Sequence, residues 1–191
     1  MSNPQTQIHE ELADWIGDIV ALEGHVEEAM DHQLGLEATP EIQNAFQKFH
    51  DAVRDSKQRA VAFQETLGTT KGNPVIKAGA EVLGKAAGVI DKMRNDSVSK
   101  SLRDDYTAFN HVSIAYTMLL TTAMAFKNDA TMAFAEQGLR TYAALVQDIN
   151  HVMPAAVVFD LMSEDHAPVI DPSVVENCRE TIQSIWNQTS N

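Results

Sequence analysis

Glu23 stands among Ile19, Val26 and Met30 at the spacing of one helix face, where an unpaired carboxylate would be costly to bury. Three fates suit it: ligation of a metal ion, hydrogen bonds from His50, Asn110 or Tyr106, or a place in water at the edge of the stripe. Further along, Asp148-Ile-Asn-His151 sets a carboxylate and an imidazole three residues apart. On a helix both then face one side, the spacing by which bundles present two ligands to one ion. His50 follows without a carboxylate three residues before it. Glu23, His50, Asp148 and His151 are therefore the candidate metal ligands, and Tyr106 and Asn110 the candidate members of an interior polar layer.

The remaining chemistry-bearing residues read more plainly. Glu28 and His32 have the spacing of a solvated pair on one helix face. His9, His25 and His166 read as surface residues, and His111 faces either the core or a neighbouring subunit. The eight methionines, Met118 and Met124 among them, suit flexible core filling. Cys178 reads as an inert, semi-buried thiol. No Gly-rich phosphate loop or nucleophile elbow occurs, so no catalytic residue is assigned.

Helices must position these groups, because three- and four-residue apolar steps dominate. A first helix is expected over roughly 6–33 and a second from Pro40 to Gly68, with Thr39 as N-cap and Pro40 at its first position. The run 68–74 is a loop, and a weaker helix, interrupted by Gly79, Gly84 and Gly88, is expected over 75–93. Long helices follow over roughly 101–126 and 130–161, joined by Asn128 and Asp129, with Pro154 kinking or breaking the second. After a polar stretch, Val174, Cys178, Ile182 and Ile185 mark a short terminal helix. Strand alternation and repeats do not appear.

Hairpin, long crossover, hairpin and tail make an all-α fold with the connectivity of a ferritin-like four-helix bundle, shared by other bundles with one long crossover. The crossover carries an extra helix. Residues 1–162 are expected to form the bundle, and 163–191 a loop and C-terminal helix packing on the bundle or on a partner subunit. At about 1.5 Å per residue, Glu23, His50, Asn110 and the Asp148–His151 pair fall in one slab.

The composition narrows the partners. The chain has 191 residues and a net charge of −13, from 14 Lys and Arg against 27 Asp and Glu. So acidic a surface repels phosphates, and Lys77, Lys85 and Lys92 are too dispersed to form a basic patch, so no nucleic-acid partner is expected. No apolar run approaches the length of a membrane span. The polar start, 1–6, lacks the segments of a secretory signal, and the single cysteine suits a reducing compartment. A cytoplasmic location is expected.

With these residues in view, the chain resembles the bacterial YciE/YciF family of stress-associated, ferritin-like proteins. The resemblance runs over roughly 12–161 and rests on Ala21-Leu-Glu23, Ala45-Phe46, Asn110-His111 and Ile114-Ala-Tyr116, together with the helix order. It implies a four-helix bundle, usually dimeric, with an interior two-metal carboxylate site in members that keep the ligands. Glu23 matches the first-helix glutamate. The family's other carboxylates fall at about Asp51 and Ala52, at Asn110 and Ser113, and near Tyr142, Ala143 and Ala144, leaving Asp148 as a possible survivor. Two divalent ions need about four carboxylates, so the site is degenerate.

Two functional readings follow. The first is a non-catalytic bacterial stress-response protein acting through association, with no cofactor and as a homodimer. The alternative is a protein holding one weakly bound iron or manganese ion at Glu23, His50, Asp148 and His151 and handling peroxide or oxygen. Whether the chain is an enzyme stays open between them.

Overall fold

The computed structural model describes residues 4–68, 97–164 and 166–189. Among them every element is an α-helix: α1 (Pro4–Gln33), α2 (Pro40–Thr66), α3 (Val98–Phe126), α4 (Asp129–Met162) and α5 (Val174–Thr189). The all-α expectation holds. The helix expected over 75–93 lies outside the described residues.

Local chemistry sets the helix ends. Thr39 is the N-cap of α2, with extended backbone (φ −64°, ψ 156°) and Pro40 just inside, where a missing N–H costs nothing. The Thr39 side chain makes no capping hydrogen bond. Gly68, at φ +63°, ends the helix in the left-handed region that favours glycine. Ser97 caps α3 by accepting from the Lys100 N–H, and Asn128 caps α4 by accepting from the Thr131 N–H at 3.0 Å. Between them Lys127 takes the left-handed conformation, φ 54°, closing a tight α3–α4 hairpin.

Four side chains fix the topology. The Gln64 amide donates to the Ala13 carbonyl at 2.8 Å, bringing the end of α2 to the start of α1. The Gln33 amide donates to Asp105 at 2.8 Å, bringing the end of α1 to the start of α3. The Asp160 carboxylate accepts from the Val98 and Ser99 N–H groups at 3.1 and 2.9 Å, so the end of α4 satisfies the first turn of α3. The ring order is α1, α2, α4, α3. α2 therefore ends at one end of the bundle and α3 begins at the other.

Pro154 does not end α4, which continues to Met162 with Pro154 buried inside it. Proline lacks an N–H and crowds the preceding turn. In that turn the His151 carbonyl accepts from Arg179 Nε of α5 at 2.9 Å. Arg179 also pairs with Glu41. The terminal helix thus packs on the bundle through α4, leaving Val174, Ile185 and Trp186 about half exposed.

The core is aromatic at mid-height. Phe109 meets Phe49 and Tyr142 edge-on, with centroids 5.8 and 5.9 Å apart, while Phe63 stacks on Phe134 at 4.5 Å. Such pairs each add about 0.5–1.5 kcal/mol beyond their burial. This rigid middle surrounds the one carboxylate of α1 that is wholly buried, Glu23.

Candidate functional site

Each helix of the bundle sends one polar side chain to this level. Glu23 Oε1 of α1 accepts from Ser56 Oγ of α2 at 2.7 Å, from Tyr116 OH of α3 at 3.0 Å and from Tyr142 OH of α4 at 3.0 Å. Ser56 and Tyr116 also touch, at 3.2 Å. Glu23 Oε2 is buried and meets no protein partner. All four residues lie on the inner, three-and-four-spaced faces of their helices, so the packing that buries the aromatics also buries this cluster.

Electrostatics leaves the cluster poised. Burial lifts the Glu23 carboxyl from its ordinary value to about 7, against the opposing pull of the Ser56, Tyr142 and Tyr116 hydroxyls and of Arg59. Burial and then the Glu23 charge push both tyrosines well above the usual phenol range. The hydroxyls therefore stay protonated and act as donors. Chemically the arrangement is a carboxyl near neutrality held by three donors on one oxygen.

The other expected site residues lie elsewhere. His50 is buried, with Nε2 against Asp31 at 2.9 Å. Asp148 pairs with Lys48 at 2.7 Å near the surface, and the His151 ring is exposed. Tyr106 and Asn110 are half-buried, and the Asn110 amide donates to its own helix at the Tyr106 carbonyl. None of the donors expected for Glu23 supplies a hydrogen bond to it. Among the described residues, no three of His, Cys, Asp and Glu converge as a metal-ligand group.

A second buried carboxyl had no place in the sequence reading. Asp105, 3% exposed, accepts from the Gln33 amide, while Asp105 Oδ2 and Gln33 Oε1 are buried without partners. Burial raises Asp105 to about 7; Gln33 opposes this and Asp104 adds to it. Its position on the inner stripe with Leu102, Phe109 and Val112 was the available signal. His25, expected at the surface, is buried with Nε2 unpartnered, and His9 is half-buried. Cys178, expected semi-buried, is exposed. Met118 and Met124, expected in the core, are exposed as well.

A family model described as a domain of unknown function, DUF892, matches residues 7–161, which spans all four bundle helices. No curated protein and no solved structure shows a significant match to the chain.

Proposed function

The chain belongs to the DUF892 family, within the ferritin-like superfamily, and from that premise we propose that it is a non-catalytic ferritin-like bundle that works by association with itself or with another protein. The observation that carries this reading is the triple donation to Glu23 Oε1. A metal ion needs lone pairs aimed at it; here three hydroxyl hydrogens occupy the space around the oxygen. Two divalent ions would need about four carboxylates, and the layer holds one. The residues present do not fit the two-metal centre of the superfamily. They fit a hydrogen-bonded polar layer that fixes how four helices meet.

The likeness of Ala21-Leu-Glu23, Asn110-His111 and Ile114-Ala-Tyr116 to the YciE/YciF proteins supports a role in bacterial stress physiology, in the cytoplasm. One observation favours the second reading, a single weakly held iron or manganese ion: Glu23 Oε2 is buried and unpartnered. His50, Asp148 and His151, however, point their binding atoms to other partners or to solvent.

Elemental analysis separates the two. Protein produced with ample iron and manganese should carry no ion on the first reading, and one per chain, removable by a mild chelator, on the second. Two tightly held ions per chain would overturn the proposal.

A further inference from the structure

Helix α3 carries two stripes. The inner one, Leu102, Asp105, Phe109, Val112, Tyr116, Leu119 and Ala123, is buried in the bundle. The outer one, Thr107, His111, Ile114, Met118, Thr121 and Ala125, repeats at alternating steps of four and three and is exposed throughout. Ile114 and Met118 at its centre are 58% and 44% exposed. An alternating four–three repeat has the spacing by which one helix seats against another, and Ile114 and Met118 are its apolar centre.

Between Asp105 and Lys127 the sequence contains no Asp, Glu, Lys or Arg, on a chain with net charge −13. The threonine hydroxyls fold back onto their own helix: Thr107 donates to the Arg103 carbonyl at 3.2 Å and Thr121 to that of Thr117 at 2.9 Å. Flanking Thr117 and Thr122 do the same, at 2.9 and 3.0 Å. Their methyls are left as the outer surface. The face can lose water without orphaning a hydroxyl.

We infer that this outer face of α3 is a self-association surface, on which a second copy of the chain docks antiparallel about a two-fold axis near Tyr116. The inference rests on the association reading above and names its surface. An isologous contact pairs residue i with j and j with i. In the register that sets Ile114 against Met118 of the other copy, His111 meets Thr121 and Thr107 meets Ala125, so each stripe position finds another. The same register sets one pair of opposite charges together at each end: Arg103 comes level with the other copy's Asp129 at the α3–α4 turn, and Asp104 with its Asn128.

Two copies this acidic repel over most of their surface, and like charges set face to face cost affinity. The chargeless stripe is where they approach without that cost. A lipid surface suits it less, since interfacial helices flank their apolar face with Lys and Arg, and the stripe has neither.

Light scattering across micromolar concentrations tests this on the full chain. The wild type should weigh twice the 21.0 kDa of one chain. Ile114→Glu with Met118→Glu should halve that mass with helical circular dichroism unchanged. A dimer that survives the double substitution overturns the α3 face and leaves self-association standing; a wild type that stays monomeric overturns both. As a second measurement, Ile114→Cys with Met118→Cys, in a Cys178→Ser background, should give a disulfide-linked dimer on mild oxidation. A non-covalent dimer that fails to cross-link overturns the register.

Discussion

The ring of Tyr116 fills the space in front of Gly138: a Cβ added to that glycine would stand 2.2 Å from Tyr116 Cε1. The absence of a side chain on α4 is therefore what lets the phenol reach across to Glu23. Gly138→Ala should raise the helix propensity of α4 by about 1 kcal/mol yet lower stability by about 1–3 kcal/mol net, because the ring must leave its place. Gly24→Ala is the control. Its Cβ would meet only Lys57 Cδ, at 3.9 Å, so that variant should gain about 0.5–1 kcal/mol. Urea unfolding of the two proteins should show opposite signs, and matching signs would refute the packing argument.

Glu23 makes stability depend on pH in a stated direction. Its folded value is raised to about 7, so its contribution is complete below the ordinary carboxyl range and is lost as pH rises through about 7. In that window the unfolded chain releases its proton first. Glu23→Gln should remove this part of the slope. The variant should match the wild type near about pH 4 and exceed it by about 1–3 kcal/mol near about pH 8. Identical slopes in the two proteins would place the titration on another group.

Tyr142→Phe removes one of three donors without changing shape. The loss should be about 1–2 kcal/mol at about pH 8, where Glu23 is charged, and smaller at about pH 5. The carboxyl should also titrate higher, since the Tyr142 hydroxyl opposes the upward shift. Carbon-13 spectra of the glutamate carboxyls would read that shift, and a Glu23 titration that moved down would contradict the geometry.

The sequence placed the right faces at the wrong heights. Ser56, Tyr116 and Tyr142 lie on the buried faces of their helices, the faces that three- and four-residue apolar steps mark, whereas counting residues along the helices sets His50, Asn110 and Asp148 level with Glu23. Each differs from the observed residue by six positions, about 9 Å along a helix. One cause shifts all three: α1 is displaced lengthwise against its neighbours, so that Ala13, well inside it, lies level with Gln64 at the end of α2. Gln33 is its last residue and already lies level with Asp105, well inside α3. The chain then climbs through 34–39 before α2 begins. Periodicity reports which way a residue faces and is silent on how far one helix overhangs another. The same blindness hid Asp105, which was legible as an inner-stripe position but had no visible partner until Gln33 was brought beside it.

That pair supports the last prediction. The Gln33 amide donates to Asp105 Oδ1, while Asp105 Oδ2 and Gln33 Oε1 are two buried acceptors with no donor between them. A proton on Asp105 supplies the missing donor, as would an amide in place of the acid. Asp105→Asn should therefore stabilise the protein, although it weakens an existing charged hydrogen bond. At about pH 8 the gain should be about 1–3 kcal/mol, the scale of relieving unsatisfied buried polar groups. The sign follows from the raised folded value of about 7: the wild-type contribution is complete at low pH and lost on the way to neutrality, whereas asparagine does not titrate. The gain should accordingly shrink towards zero as pH falls to about 4. Chemical denaturation at the two pH values measures it, and an Asp105→Asn protein less stable than wild type at the higher pH would show that the charged form is the one the fold selects.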